Sequence, residues 1–74
     1  RAIDVLSTQL AEDPGNANVL YNLACAECRG GRLEAALKHL GEAVELERRF
    51  RRNAQGDPDL AAIRDDPRFP PAEG

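Results

Sequence analysis

Two cysteines three positions apart, in Cys25-Ala26-Glu27-Cys28, are the residues whose types best suit chemistry. Such a pair exchanges disulfides when its first thiol sits at a helix N-terminus, where the dipole lowers its pKa. Here both fall in the middle of a helical pattern, in a chain without strand alternation. The spacing therefore predicts two small side chains on one helical face. A structural zinc ion needs about four ligands, and only His39, on another helix, adds one. His39 has no Ser or Cys partner and no third residue to orient its ring, so it reads as a solvated or half-buried helix residue. Glu45 with Glu47, and Asp65 with Asp66, read as solvated faces and caps, not a catalytic carboxylate pair. Gly30-Gly31 lacks both the motif and the preceding strand of a phosphate loop. No catalytic residue, no metal site and no cofactor is expected.

The charged run Arg48, Arg49, Arg51 and Arg52 flanks Phe50. It is expected at a helix C-terminus, where cations complement the dipole and pair with nearby acids. A partner-docking patch is the second reading. Nucleic acid is not expected as a partner, because the chain carries a net charge of −3.

These residues must be held by a small scaffold. The chain has 74 residues, enough for one domain of marginal stability. Its 42% hydrophobic and 31% charged content reads as folded. One Tyr, two Phe and no Trp exclude a base-stacking platform. No stretch reaches the roughly 18–20 apolar residues of a membrane span, and no charged-then-apolar leader opens the sequence. A start at Arg1 without Met suggests a piece of a longer protein. Two cysteines are too few for a disulfide framework, so a reducing cytoplasm is expected. Abundant Ala and Arg beside a single Lys hint at a GC-rich bacterial genome.

Helical spacing dominates the sequence. Ala2, Ile3, Leu6 and Leu10 line a first helix, stopped by Asp13-Pro14-Gly15-Asn16. Asn16 or Asn18 can cap a second helix over about 17–29, with Leu20, Leu23 and Ala24 as its stripe. Gly30-Gly31 ends it in a tight turn. Leu33, Ala36, Leu37, Leu40, Ala43 and Val44 form an unbroken stripe on a third helix, with small Ala36 and Ala43 allowing close approach. Glu34 and Lys38 on its outer face are spaced as a favourable ion pair. Asp57 and Pro58 suit the start of a short helix that puts Leu60 and Ile63 on one side. Phe69 is the last large apolar residue, and Pro70 through Gly74 are expected to fray.

The apolar pattern also repeats. Moved by about 34 positions, Ala2, Ile3, Leu6 and Leu10 fall on Ala36, Leu37, Leu40 and Val44. With Leu20, Leu23, Ala24, Gly31, Ala36, Leu40, Ala43 and Pro14 in register, the chain resembles the tetratricopeptide repeat family. It departs from the pattern at Gln9, at Glu27, where a large residue is usual, and at Arg48, where a proline leads into another repeat. The tail, Asp57-Pro58-Asp59-Leu60, Ile63 and Asp66-Pro67-Arg68-Phe69, looks like a segment closing some bacterial arrays of this type.

The resemblance implies an all-α fold of antiparallel helical hairpins, with residues 1–56 as the repeat region and 57–74 as a C-terminal cap. Leu60, Ile63 and Phe69 would fold back over Leu37, Leu40 and Val44. It further implies a non-catalytic protein-interaction module that ends an array in a larger bacterial protein. Carried onto this chain, the family's ligand groove comprises Asn18, Tyr21, Asn22, Cys25, Cys28 and Arg29, with Asn22 placed to hydrogen-bond a peptide backbone. A protein or peptide, or a second copy of the chain, would be the partner. Self-association, or service as an accessory domain of an upstream enzyme, is the alternative.

Overall fold

The computed structural model describes residues 2–71. The chain forms α1 (Ala2–Glu12), α2 (Ala17–Arg29), α3 (Leu33–Leu46), α4 (Phe50–Gly56) and a 3-10 helix (Pro58–Ile63). No strand occurs among the described residues, so the all-α expectation is met.

Local chemistry sets the ends of α2. The Asn16 carboxamide oxygen accepts the backbone N–H groups of Asn18 and Val19 at 3.0 and 3.2 Å, so Asn16 is the cap and Asn18 belongs to the helix. At the other end the Arg32 N–H donates to the Glu27 carbonyl and the Gly31 N–H to the Cys28 carbonyl, at 2.8 and 3.2 Å. This double closure needs a left-handed residue, and Gly31 supplies it with φ of 84°. The chain then reverses, and α3 packs along α2 more extensively than any other pair of elements. Ala36 and Ala43 are fully buried, as the close approach of two helices requires.

The core joins Leu20, Ala24, Leu37, Leu40, Val44 and Phe50 to residues of the tail. Leu60, Ile63 and Phe69 are buried in it. The 3-10 helix lies chiefly against α2, with a smaller contact to α3. When Ala17–Arg29 is moved by the repeat period of about 34, it falls on residues 51–63. That is the span of α4 plus the 3-10 helix. The helical path is broken between α4 and the 3-10 helix at Asp57-Pro58, where proline has no N–H to continue the helix.

The structure corrects four details. The basic run does not extend α3, which ends at Leu46; Glu47 is extended (φ −137°, ψ 96°) and α4 starts anew at Phe50. The break turns Phe50 into the core, with its ring centroid 4.9 Å from that of Tyr21. Phe50 is therefore unavailable to a docking patch, and Arg51 and Arg52 sit in the first turn of α4, where the dipole gains nothing from cations. Glu34 does not depend on Lys38: its carboxylate takes a two-pronged contact from Arg68, at 2.6 and 2.8 Å. Arg68 also holds Asp66, and its guanidinium keeps both carboxyls below their usual range. Pro70 is not frayed; it is buried, and its carbonyl accepts the Gln55 amide at 2.9 Å. Ala72, Glu73 and Gly74 lie outside the described residues, as does the side chain of Ala2.

The fourth correction concerns His39, which has a partner. Its Nδ1 lies 2.7 Å from Oε1 of Glu27, and Glu27 is only 4% exposed. A carboxylate buried in a helix interface needs such a donor, because an unpaired buried charge is costly. The departure at Glu27 and the lone histidine are two halves of one contact between α2 and α3.

Two stability predictions follow from this packing. Leu40 is 0% exposed, so Leu40→Ala should cost about 2–5 kcal/mol in chemical denaturation; an unchanged midpoint would contradict its place in the core. His39→Leu strands the Glu27 carboxylate and should cost about 3–5 kcal/mol. Adding Glu27→Leu should recover most of that loss, and a double variant no more stable than His39→Leu would show that the two side chains are not coupled.

Candidate binding groove

One face of α2 is left partly open by the packing. α1 crosses beside it and presents Val5 and Leu6, and the start of the 3-10 helix presents Asp57 and Asp59. Between them lies a cavity of about 560 Å³, floored by Tyr21, Asn22, Cys25, Ala26 and Arg29 of α2. Val5 is 57% exposed, so this wall is apolar and faces water.

Asp57 organises the polar side. Its Oδ1 accepts the Asp59 N–H at 3.0 Å, which caps the 3-10 helix. Its Oδ2 accepts the Tyr21 hydroxyl at 2.8 Å and the Cys25 thiol at 3.7 Å. Its carbonyl takes Nη2 of Arg64 at 2.6 Å. One residue thereby fastens the tail to α2 through neutral donors while serving as a helix cap.

The electrostatics follow from this contact. Burial pushes the Cys25 thiol up to about 12, and the charges of Asp57 and Asp59 push the same way, against a smaller pull from Arg29. A thiol pushed up in this way is a weaker nucleophile at neutral pH than an ordinary one, so Cys25 lacks the lowered pKa of a disulfide-exchange thiol. Burial, followed by the Asp57 hydrogen bond, likewise raises Tyr21 well above an ordinary phenol. Cys25, Asp57 and Asp59 each bring one ligand atom within 4.8 Å of the others. A metal there would have to displace the thiol proton and the Tyr21 hydrogen bond, so the donor set fits a cation-specific site poorly.

Four of the residues expected to line a groove meet at this cavity: Tyr21, Asn22, Cys25 and Arg29. Asn18 is exposed at the start of α2, outside the lining, and Cys28 is buried in the core at 5% exposure. Sequence reasoning missed Val5 and Leu6, whose neighbour across the groove is set by the angle of α1. Also missed were Asp57, read only as a helix-start residue, and Asp59, read only as part of the closing tail segment. A second cavity of about 610 Å³ lies elsewhere, among Pro14, Gly15, Leu20, Glu42, Glu45 and Leu46.

Burial of Tyr21, reinforced by its bond to Asp57, predicts a pH dependence. The folded phenol ionises higher than the unfolded one, so the contact stabilises the fold fully below about pH 10 and is lost as pH rises further. The chain has a single Tyr, so absorbance near 295 nm reports it alone. Its midpoint should lie above the ordinary phenol value in the folded protein and return to it in urea. A normal midpoint in the folded protein would show that the tail does not bond Tyr21.

Residues 1–56 match a protein-family model described as a tetratricopeptide repeat. No curated protein and no solved structure matches the chain. The matched span runs from α1 to the end of α4, includes the whole α2–α3 hairpin, and covers most of the sequence. The chain belongs to the tetratricopeptide repeat family.

Proposed function

We propose that the chain is a non-catalytic interaction module that receives a protein or peptide segment in the cavity between α1, α2 and the Asp57–Asp59 turn. Tetratricopeptide repeats serve as protein-interaction modules, and the family membership supports this class of function. The observation that carries the reading to a site is the cavity itself. It pairs an apolar wall, Val5 and Leu6, with exposed hydrogen-bonding groups on α2, Asn22 and Arg29. That mixture suits an extended backbone with an apolar side chain.

The module ends an array in a larger, cytoplasmic, bacterial protein. Support comes from the broken helix over 51–63, whose second half is wound as a 3-10 helix and buries Leu60 and Ile63 in place of a regular repeat helix. Residues 57–74 act as the cap of the repeat region. Among the described residues no helix is long and apolar enough to cross a membrane. A second reading, pairing with another copy of the chain through α1, is favoured by the exposure of Val5; concentration-independent sedimentation as a monomer would remove it.

The test uses a random dodecapeptide library displayed on phage and panned against the whole chain. Enriched peptides should lose tenfold or more in affinity for the Val5→Gln/Asn22→Ala double variant. They should bind normally to Leu46→Gln, which alters the second cavity. Enriched peptides indifferent to the first variant would refute this cavity as the binding site.

A further inference from the structure

The two carboxylates at the cavity rim are poorly neutralised. Among the described residues, every donor to the Asp57 carboxylate is uncharged: a phenol, a thiol and a backbone N–H. Asp59 faces Arg29 only at 4.0 Å, the outer limit of an ion pair, with the Arg29 side chain exposed and that of Asp59 half-buried. Arg64 directs its Nη2 to the Asp57 carbonyl and does not line the cavity. The carboxylates of Asp57 and Asp59 approach within 4.8 Å of each other. Their joint field is felt by Tyr21 and Cys25, both of which it helps keep protonated. The same cavity is lined by the hydrocarbon surfaces of Val5 and Leu6 on α1 and of Ala26 on its floor.

This juxtaposition has a natural complement. A hard divalent ion wants six or more oxygens, and the apolar wall would be wasted on it. A lysine or arginine side chain matches both halves, with a hydrocarbon stem ending in a cation. We propose that the cavity takes a basic side chain of the bound segment, its stem against Val5, Leu6 and Ala26 and its cationic head at Asp57 and Asp59. The proposal rests on the groove reading above and adds the chemistry of the occupant. Arg29 sets the strength of the site, because its loose approach to Asp59 competes with the incoming cation. Asp59 rather than Asp57 is the residue to alter, since the Asp57 carboxylate also caps the 3-10 helix and holds Tyr21.

The experiment titrates synthetic copies of the enriched dodecapeptides against the full chain by calorimetry. Peptides that depend on Val5 and Asn22 should carry a Lys or Arg, and replacing it with norleucine should weaken binding about three- to ten-fold. Asp59→Asn should weaken the parent peptide by a similar factor and leave the norleucine peptide unchanged, while Arg29→Gln should tighten the parent. Cavity-dependent peptides without a basic residue, or a norleucine peptide that binds as well as its parent, would overturn the cationic occupant and leave the groove standing. An Asp59→Asn variant that binds both peptides like the wild type would do the same. Enriched peptides that bind independently of Val5 and Asn22 would overturn the groove and this proposal together.

Discussion

Helix α2 carries more buried surface than one neighbour can cover. Val19, Leu20, Leu23, Ala24, Ala26 and Cys28 all lie out of water, spread over much of its circumference. A helix of this kind folds only when flanked on several sides. α1, α3 and the 3-10 helix supply those flanks, and the rest of the structure follows from the need for all three. The hairpin turn at Gly31 brings α3 back, and the turn at Pro14-Gly15 brings α1 alongside. The break at Glu47 sends Phe50 and the tail across the remaining side. What stays uncovered is the strip through Asn22 and Arg29. The groove is the remainder left by this burial, not an added feature.

Polar contacts decide how the flanks are fixed. Apolar packing alone would let neighbouring helices slide, because burial is not directional. The Glu27–His39 contact joins α2 to α3 in one register, since a shift by a residue would strand a carboxylate in the interface. Asp57 does the same for the tail through Tyr21 and Cys25. Arg68 clasps Glu34 near the start of α3 in solvent, and exposed ion pairs of this kind add little stability. The buried contacts therefore specify the arrangement, while the exposed clasp follows it.

The helical core was legible in the sequence because its signals are local. Asn16, Gly31 and the stripe from Leu33 to Val44 act within a few residues of themselves, and the boundaries of α2 and the burial of Leu37 and Leu40 follow directly. The tail was legible only in part: Leu60, Ile63 and Phe69 were recognisable as core by type, but Asp57 reaches Tyr21 across 36 positions and no spacing rule reports that. Glu27 looked anomalous and His39 ordinary, and their pairing depends on which faces of α2 and α3 meet. Arg48–Arg52 misled because charge suggested a helix end, whereas Phe50, buried beside Tyr21, governs where the chain breaks. The groove walls belong to α1 and the tail, so a reading confined to α2 found most of the floor and missed the sides.

The tail folds onto α2 as a structural flank and so defines one side of the groove. Nuclear Overhauser contacts in the native chain test it most directly. Ring-to-ring contacts are expected between Tyr21 and Phe50, whose centroids lie 4.9 Å apart, together with contacts from the methyl groups of Leu60 and Ile63 to side chains of α2. Random-coil shifts for Leu60 and Ile63, with no contact to α2, would contradict it.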